Sequence, residues 1–168
     1  MPYIRYNDIF EPVLADKIHK DLAFSSRWSF TGTTDNKSSS DILKFWYNDL
    51  NEVSLYTKYF FSKIQNITCK SFLLKTVYAN GQTYGLNSHW HVDSNEENDY
   101  TFLYYVNHYW NPLWGGNTLF TYQDKIHTSE FIPNSAILFK SNIPHIGMEP
   151  TRSCRELRIT VAFKLTEI

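Results

Sequence analysis

The sequence predicts a mainly β fold with helices near its N-terminus: a sandwich, barrel or jelly roll with the helices packed outside. Three observations carry this. Apolar residues recur at helical spacing ahead of Cys69. After Cys69 they gather into short β-rich runs separated by turn-forming pairs. No segment alternates strand with helix as a parallel doubly wound sheet requires.

Taken in order, Val13, Leu14, Ile18, Leu22 and Ala23 place one amphipathic helix over Glu11 to Phe24, with Pro12 near its start, where a missing N–H is harmless. Trp28 to Gly32 reads as a short strand, and the Thr, Asn, Asp and Ser of Thr33 to Ser40 as an exposed loop. From Ser40 to Ile67 a dense apolar series, including Phe45, Trp46, Leu50, Tyr56, Phe60 and Ile64, reads as one long or two consecutive helices behind a serine cap. Strands follow at Phe72–Tyr78, Tyr100–Val106, Asn117–Tyr122, Ala136–Phe139 and Leu157–Leu165. Asn80-Gly81, Asn111-Pro112, Gly115-Gly116 and Pro133-Asn134 punctuate them as turns.

A length of 168 residues fits one domain, with residues 1–68 as mostly helical support and 69–168 as the β core. A net charge of −1 leaves no basic surplus to neutralise a phosphate backbone or an anionic membrane, which argues against bulk nucleic-acid binding. Met1 to Asp8 lack a basic stretch followed by an apolar one, and no apolar run approaches the ~20 residues that span a bilayer, so a soluble, cytoplasmic chain is expected. Cys69 and Cys154 have no metal-ligand spacing and read as ordinary small side chains.

The chemistry concentrates in Ser88-His89-Trp90-His91-Val92-Asp93 and, much later, Pro144-His145. On a strand, alternate residues share a face, so His91 and Asp93 present an imidazole and a carboxylate to one point. With His145 as third ligand they form the two-histidine, one-carboxylate triad that leaves open positions on a metal. In the last strand Leu157, Ile159, Val161, Phe163 and Leu165 alternate with Arg158, Thr160, Ala162 and Lys164. One face is apolar, and the other sets Arg158 beside Thr160, where a guanidinium suits a two-pronged grip on a carboxylate.

Here the chain resembles the Fe(II)- and 2-oxoglutarate-dependent oxygenases, within them the prolyl 4-hydroxylase-like branch. The likeness runs in order through Val77 to Gly81, His91-Val92-Asp93, Phe102 to Asn107, Trp110-Asn111, Trp114-Gly115-Gly116, Pro133 to Phe139, Pro144-His145 and Arg158 to Phe163. It implies a double-stranded β-helix (jelly-roll or cupin-like) core. It also implies Fe(II) held by His91, Asp93 and His145, 2-oxoglutarate and O₂ as co-substrates, and ascorbate as reductant. Arg158, with Thr160 beside it, would hold the distal carboxylate of 2-oxoglutarate, and Tyr105 would donate its hydroxyl to the same group. Arg155 competes for that role, but in an extended strand it shares the apolar face. Tyr78 and Tyr84 would line the pocket near the iron. His89 has a supporting role, a substrate role or none, and His19, His108 and His127 read as surface or structural. Trp110 and Trp114 read as packing residues, and the loops at Thr33 to Ser40 and Ser94 to Asp99 as candidates for the mouth.

The implied reaction is hydroxylation of a C–H bond, of a prolyl residue in a peptide or protein first and of a free amino acid or other small molecule second. Demethylation of nucleic-acid bases is a third reading within the family, against which the absent basic surplus argues. From other classes come a non-enzymatic jelly-roll binder with a structural metal, which has no use for Arg158 and Tyr105, and a zinc hydrolase, for which no HExxH-type base is present.

Overall fold

The computed structural model describes residues 1–32 and 43–168. Strand β1 (Tyr3–Tyr6) precedes helix α1 (Pro12–Ala23), then come β2 (Ser29–Gly32) and β3 (Phe45–Asp49). A π-helical turn, Leu55–Phe60, runs into α2 (Phe61–Thr68). The rest is β4 (Phe72–Gln82), β5 (Asp99–Tyr105), a 3-10 turn (Pro112–Trp114), β6 (Thr118–Tyr122), β7 (Lys125–Ser129), β8 (Ser135–Lys140), β9 (His145–Gly147) and β10 (Arg158–Glu167). A seven-stranded sheet, ordered β1-β8-β5-β10-β4-β3-β2, accompanies a three-stranded sheet, β7-β6-β9, with every ladder antiparallel. This is the double-stranded β-helix with helices outside it.

Strand alternation divides the large sheet between two apolar layers. Val77, Ala79, Phe102, Tyr104, Ile159, Val161, Phe163 and Leu165 point to the helical side, where they pack with Ile18 and Leu22 of α1, Phe60 and Ile64. Leu103, Tyr105, Ile137, Phe139 and Ala162 point the other way, onto Phe120 and Phe131 of the small-sheet side. Helix α1 begins with Pro12 in its first turn, as its sequence predicts. Among the described residues, no helix is long and apolar enough to cross a membrane.

Three expectations are corrected. First, the apolar series read as one long or two consecutive helices contains β3, so residues 1–68 mix strands with helices. Aromatic Phe45-Trp46-Tyr47 favours extended backbone when a partner strand is at hand, and β4 supplies it, pairing Trp46 with Gly81 and Tyr47 with Asn80. The Asp49 carboxylate then accepts the Asn51 N–H at 2.9 Å, an Asx turn that separates strand from helix. The serine cap at Ser40 and the loop Thr33 to Ser40 lie outside the described residues. Second, Asn80-Gly81 is no turn but the middle of β4, paired on both sides. Gly81 is required by close approach instead: a Cβ there would lie 3.0 Å from Trp46 Cβ and 3.2 Å from Leu157. Third, His91 and Asp93 lie outside any named strand, with His91 in an isolated bridge to His145.

Candidate active site

A cavity of about 480 Å³ opens between the sheets, walled by alternate residues of β4 (Thr76, Tyr78, Asn80, Gln82), of β5 (Thr101, Leu103) and of β10 (Arg158, Thr160, Ala162, Lys164). His91, Asp93 and His145 stand on its wall, with Thr118 and Gly147 from the small sheet.

The triad is assembled by backbone pairing. His91 N–H donates to the His145 carbonyl at 3.0 Å, His145 N–H returns a bond to the His91 carbonyl at 2.9 Å, and Asp93 N–H donates to Ser141 O at 2.9 Å. Each ring is then fixed by its own Nδ1–H, which donates to a carbonyl, His91 to His89 O and His145 to Ile143 O, both at 2.9 Å. A carbonyl only accepts, so in both rings Nδ1 carries a proton, which leaves Nε2 as the ligating atom whenever the ring is neutral. His91 Nε2 lies 3.4 Å from Asp93 Oδ1, and His145 Nε2 lies 3.4 Å from Asp93 Oδ2. Three donor atoms within 4.8 Å of one another can hold one divalent cation. His89, exposed, contributes a carbonyl and not its ring.

The electrostatics favour ligation. Burial, with the neighbouring His91 adding to it, pushes His145 down to about 4, although Asp93 opposes the fall, so the ring is neutral. Burial works against a charged Asp93, but the Lys164 ammonium outweighs it and holds the carboxyl well below the usual range. Lys164 reaches into the triad from β10: its Nζ pairs with Asp93 Oδ2 and lies 3.3 Å from Thr101 Oγ1, whose hydroxyl donates to the same carboxylate oxygen at 2.6 Å. It also sits 5.7 Å from the Tyr78 ring.

Arg158 forms a second pole. It is 2 % exposed, and burial lowers its pKa only to about 10, so it stays charged. Its Nε donates to Gly116 O at 2.6 Å and its Nη1 to Gln82 Oε1 at 2.7 Å, while Nη2, buried, meets no protein partner among the described residues. Both acceptors are neutral, and a buried guanidinium with a free donor is suited to a carboxylate. Gly116 is part of that cradle: a Cβ there would lie 3.1 Å from Arg158 Cδ and 3.0 Å from Trp110 Cζ2. Trp110 itself packs, donating to Gly115 O at 2.9 Å.

The structure thus brings His91, Asp93, His145, Tyr78, Thr160 and Arg158 to one cavity, and leaves Arg155 exposed outside it. Tyr84 is a correction: 58 % exposed, it is carried away from the cavity by the turn after β4, where Gly85 has φ +89. Tyr105 keeps the strand face expected of it but does not line the cavity. Its hydroxyl donates to Thr118 Oγ1 at 3.0 Å and lies 2.9 Å from Ser129 Oγ, so Thr118 stands between it and the wall. Sequence reasoning passed over Lys164, Gln82, Asn80 and Gly116. The alternation of β10 that singled out Arg158 also carries Lys164 to the cavity. The loop Ser94 to Asp99 folds back on itself, Ser94 Oγ donating to Asp99 Oδ2 at 2.6 Å.

No curated protein matches the chain. A prolyl hydroxylase from Trichoplax adhaerens, solved with a hypoxia inducible factor oxygen degradation domain peptide fragment, superposes with a TM-score of 0.77 at 17% identity, over 99% of this chain and 84% of that one. A Pseudomonas putida prolyl-4-hydroxylase gives 0.68 at 15% identity, over 99% and 93%. The non-heme alpha ketoglutarate dependent epimerase SnoN of nogalamycin biosynthesis gives 0.66 at 11% identity, over 98% and 77%. At these identities the likeness is one of fold. The match to a family model goes further: residues 76–164, more than half of the chain and including the triad and Arg158, match the model of the 2OG-Fe(II) oxygenase superfamily, and the chain belongs to that family of 2-oxoglutarate-dependent dioxygenases.

Proposed function

We propose that this chain hydroxylates a prolyl residue in a peptide or protein, with Fe(II) held by His91, Asp93 and His145 and with 2-oxoglutarate anchored by Arg158. The observation that carries the reading is the two-pole cavity, a neutral-imidazole and carboxylate triad on one wall and a buried Arg158 with a free Nη2 on another. The residues fit both groups: two Nε2 atoms and a charged carboxylate oxygen suit Fe(II), and Nη2 suits a carboxylate. When bound, iron and 2-oxoglutarate supply oxidation of a C–H bond by O₂ with succinate and CO₂ as co-products, and ascorbate serves as reductant.

The chain's own part is positioning. Gly116 O and Gln82 Oε1 fix the guanidinium and leave Nη2 for a ligand carboxylate, and Thr160 and Thr118 add hydroxyls to the same wall. Tyr105, one hydrogen bond behind Thr118, orients that hydroxyl. Tyr78, Leu103, Phe139 and Ala162 give the cavity apolar surface, which keeps water from the reacting centre. Asn80 Oδ1 is buried without a partner among the described residues and can accept from a bound molecule. A peptidyl-proline substrate is favoured over a small molecule because two of the similar folds are prolyl hydroxylases, one of them solved with a peptide.

The test is a screen of proline-containing peptides with Fe(II), 2-oxoglutarate and ascorbate, read by mass spectrometry and by succinate. A peptide that gains one oxygen atom on proline, in step with succinate and dependent on His91, supports the reading. Oxygen gained only by free amino acids or other small molecules moves the substrate to that class.

A further inference from the structure

Four histidines lie outside the triad, and the fold brings two of them together: His19, buried at 7 % exposure on α1, and His108, exposed just after β5. Asp16 stands one helical turn before His19 and shares its face. The Asn107 amide fixes the approach of His108, donating to Leu157 O and accepting from Ile159 N–H, each at 2.9 Å. His19 Nδ1 and His108 Nδ1 are 2.7 Å apart, with ring centroids at 4.6 Å. A nitrogen of each ring and an Asp16 oxygen all lie within 4.8 Å of one another. None of the three lines the cavity, and α1 packs against the opposite face of the large sheet.

We propose that Asp16, His19 and His108 form a second metal site, for a borderline divalent ion such as Zn(II) or Co(II), which fastens α1 to the segment after β5. Two imidazole nitrogens and one carboxylate suit such ions and not Mg²⁺ or Ca²⁺. An N···N contact of 2.7 Å is a hydrogen bond in which one neutral ring donates to the other. An ion at ~2.0–2.1 Å from each nitrogen needs them about 3.3 Å apart at a tetrahedral angle, so the rings have only to open slightly. Burial, then the neighbouring His108, hold His19 below the usual imidazole range, so it is neutral as a ligand must be. The competitor is Lys20, 2.6 Å from Asp16 in an exposed i,i+4 pair of the kind that adds little. Asp16 and His108 face solvent, which leaves the ion a way in.

The test is anaerobic Co(II) titration of the full chain, followed by visible absorption and calorimetry, in wild type, His108→Asn, Asp16→Asn, His91→Ala and His91→Ala/His108→Asn. His108 is exposed and Asp16 half-buried, so the variants should fold, and circular dichroism checks that they do. The account expects two ions per wild-type chain, one after either His91→Ala or His108→Asn, and none tightly held in the double variant. Asp16→Asn should weaken the second site at least tenfold, and Zn(II) should raise the melting temperature of His91→Ala but not of the double variant. A single wild-type ion lost with His91→Ala, or second-site binding unchanged by His108→Asn, would overturn it. A single ion lost with His108→Asn would instead uphold this site and count against the triad.

Discussion

His91 and His145 exchange both of their backbone hydrogen bonds, at 3.0 and 2.9 Å, in a bridge that belongs to no named strand. Two imidazoles from distant segments are therefore held at a fixed separation by main chain, and each ring is oriented by a carbonyl two residues before it. Neither ring needs a further side chain to aim it, because main-chain bonds set both its position and its tilt.

The Gly116 cradle gives the first prediction. With φ at +72 and Arg158 Cδ 3.1 Å from where a Cβ would sit, Gly116→Ala strains the backbone and pushes the guanidinium aside. The KM for 2-oxoglutarate should rise about tenfold, or ~1.4 kcal/mol, with Mn(II) affinity unchanged. Steady-state kinetics and calorimetry check both, and an unchanged KM would remove Gly116 from the co-substrate site.

Lys164 gives the second. Its ammonium is the cation that offsets Asp93 in the metal-free protein, and breaking a buried pair by removing one partner costs ~3–5 kcal/mol. Lys164→Met should lower the melting temperature of the metal-free chain, and Mn(II), a second source of positive charge, should restore more of it than it adds to wild type. Thermal unfolding with and without Mn(II) reads the difference. Equal metal-induced shifts would show that Lys164 does not neutralise Asp93.

How much of this was legible in the chain depends on whether a feature repeats locally. The β10 alternation is local, so the core face of Ile159, Val161 and Phe163 and the cavity face of Arg158 and Thr160 could both be read from it. Lys164 lies on the same face, and its partner Asp93 is visible only once β10 and the His91 segment meet. Gln82 and Gly116 hold Arg158 from two other segments and carry no local signal of doing so. His91 and Asp93 were found by spacing, though the bridge that orders them needs His145. Helical periodicity misled at Phe45 to Asp49, because an aromatic run satisfies both periods and only the neighbouring β4 decides between them.

Asp99 sets an acid limit to stability. It is 3 % exposed and accepts from Lys75 Nζ at 2.7 Å, Ser94 Oγ at 2.6 Å and Thr166 Oγ1 at 2.7 Å. Burial raises its pKa, but these hydrogen bonds outweigh burial and bring it to about 2, against ~3.9 in an unfolded chain. The folded value is the lower one, so its contribution is complete above about pH 4 and is lost as pH falls from there through about pH 2. Urea unfolding across that window should show a shallower acid decline for Asp99→Asn than for wild type, from a lower stability at neutral pH. Parallel acid limbs would rule Asp99 out as their source.

The two-pole cavity is tested most directly by anaerobic titration of Fe(II) and 2-oxoglutarate into the metal-free chain, following the weak visible metal-to-ligand band in wild type, His91→Ala and Arg158→Ala. The account predicts a band in wild type, none in His91→Ala, and in Arg158→Ala a band that needs at least tenfold more 2-oxoglutarate. A chain that binds metal at the triad yet shows no band, or a band indifferent to Arg158, would contradict it.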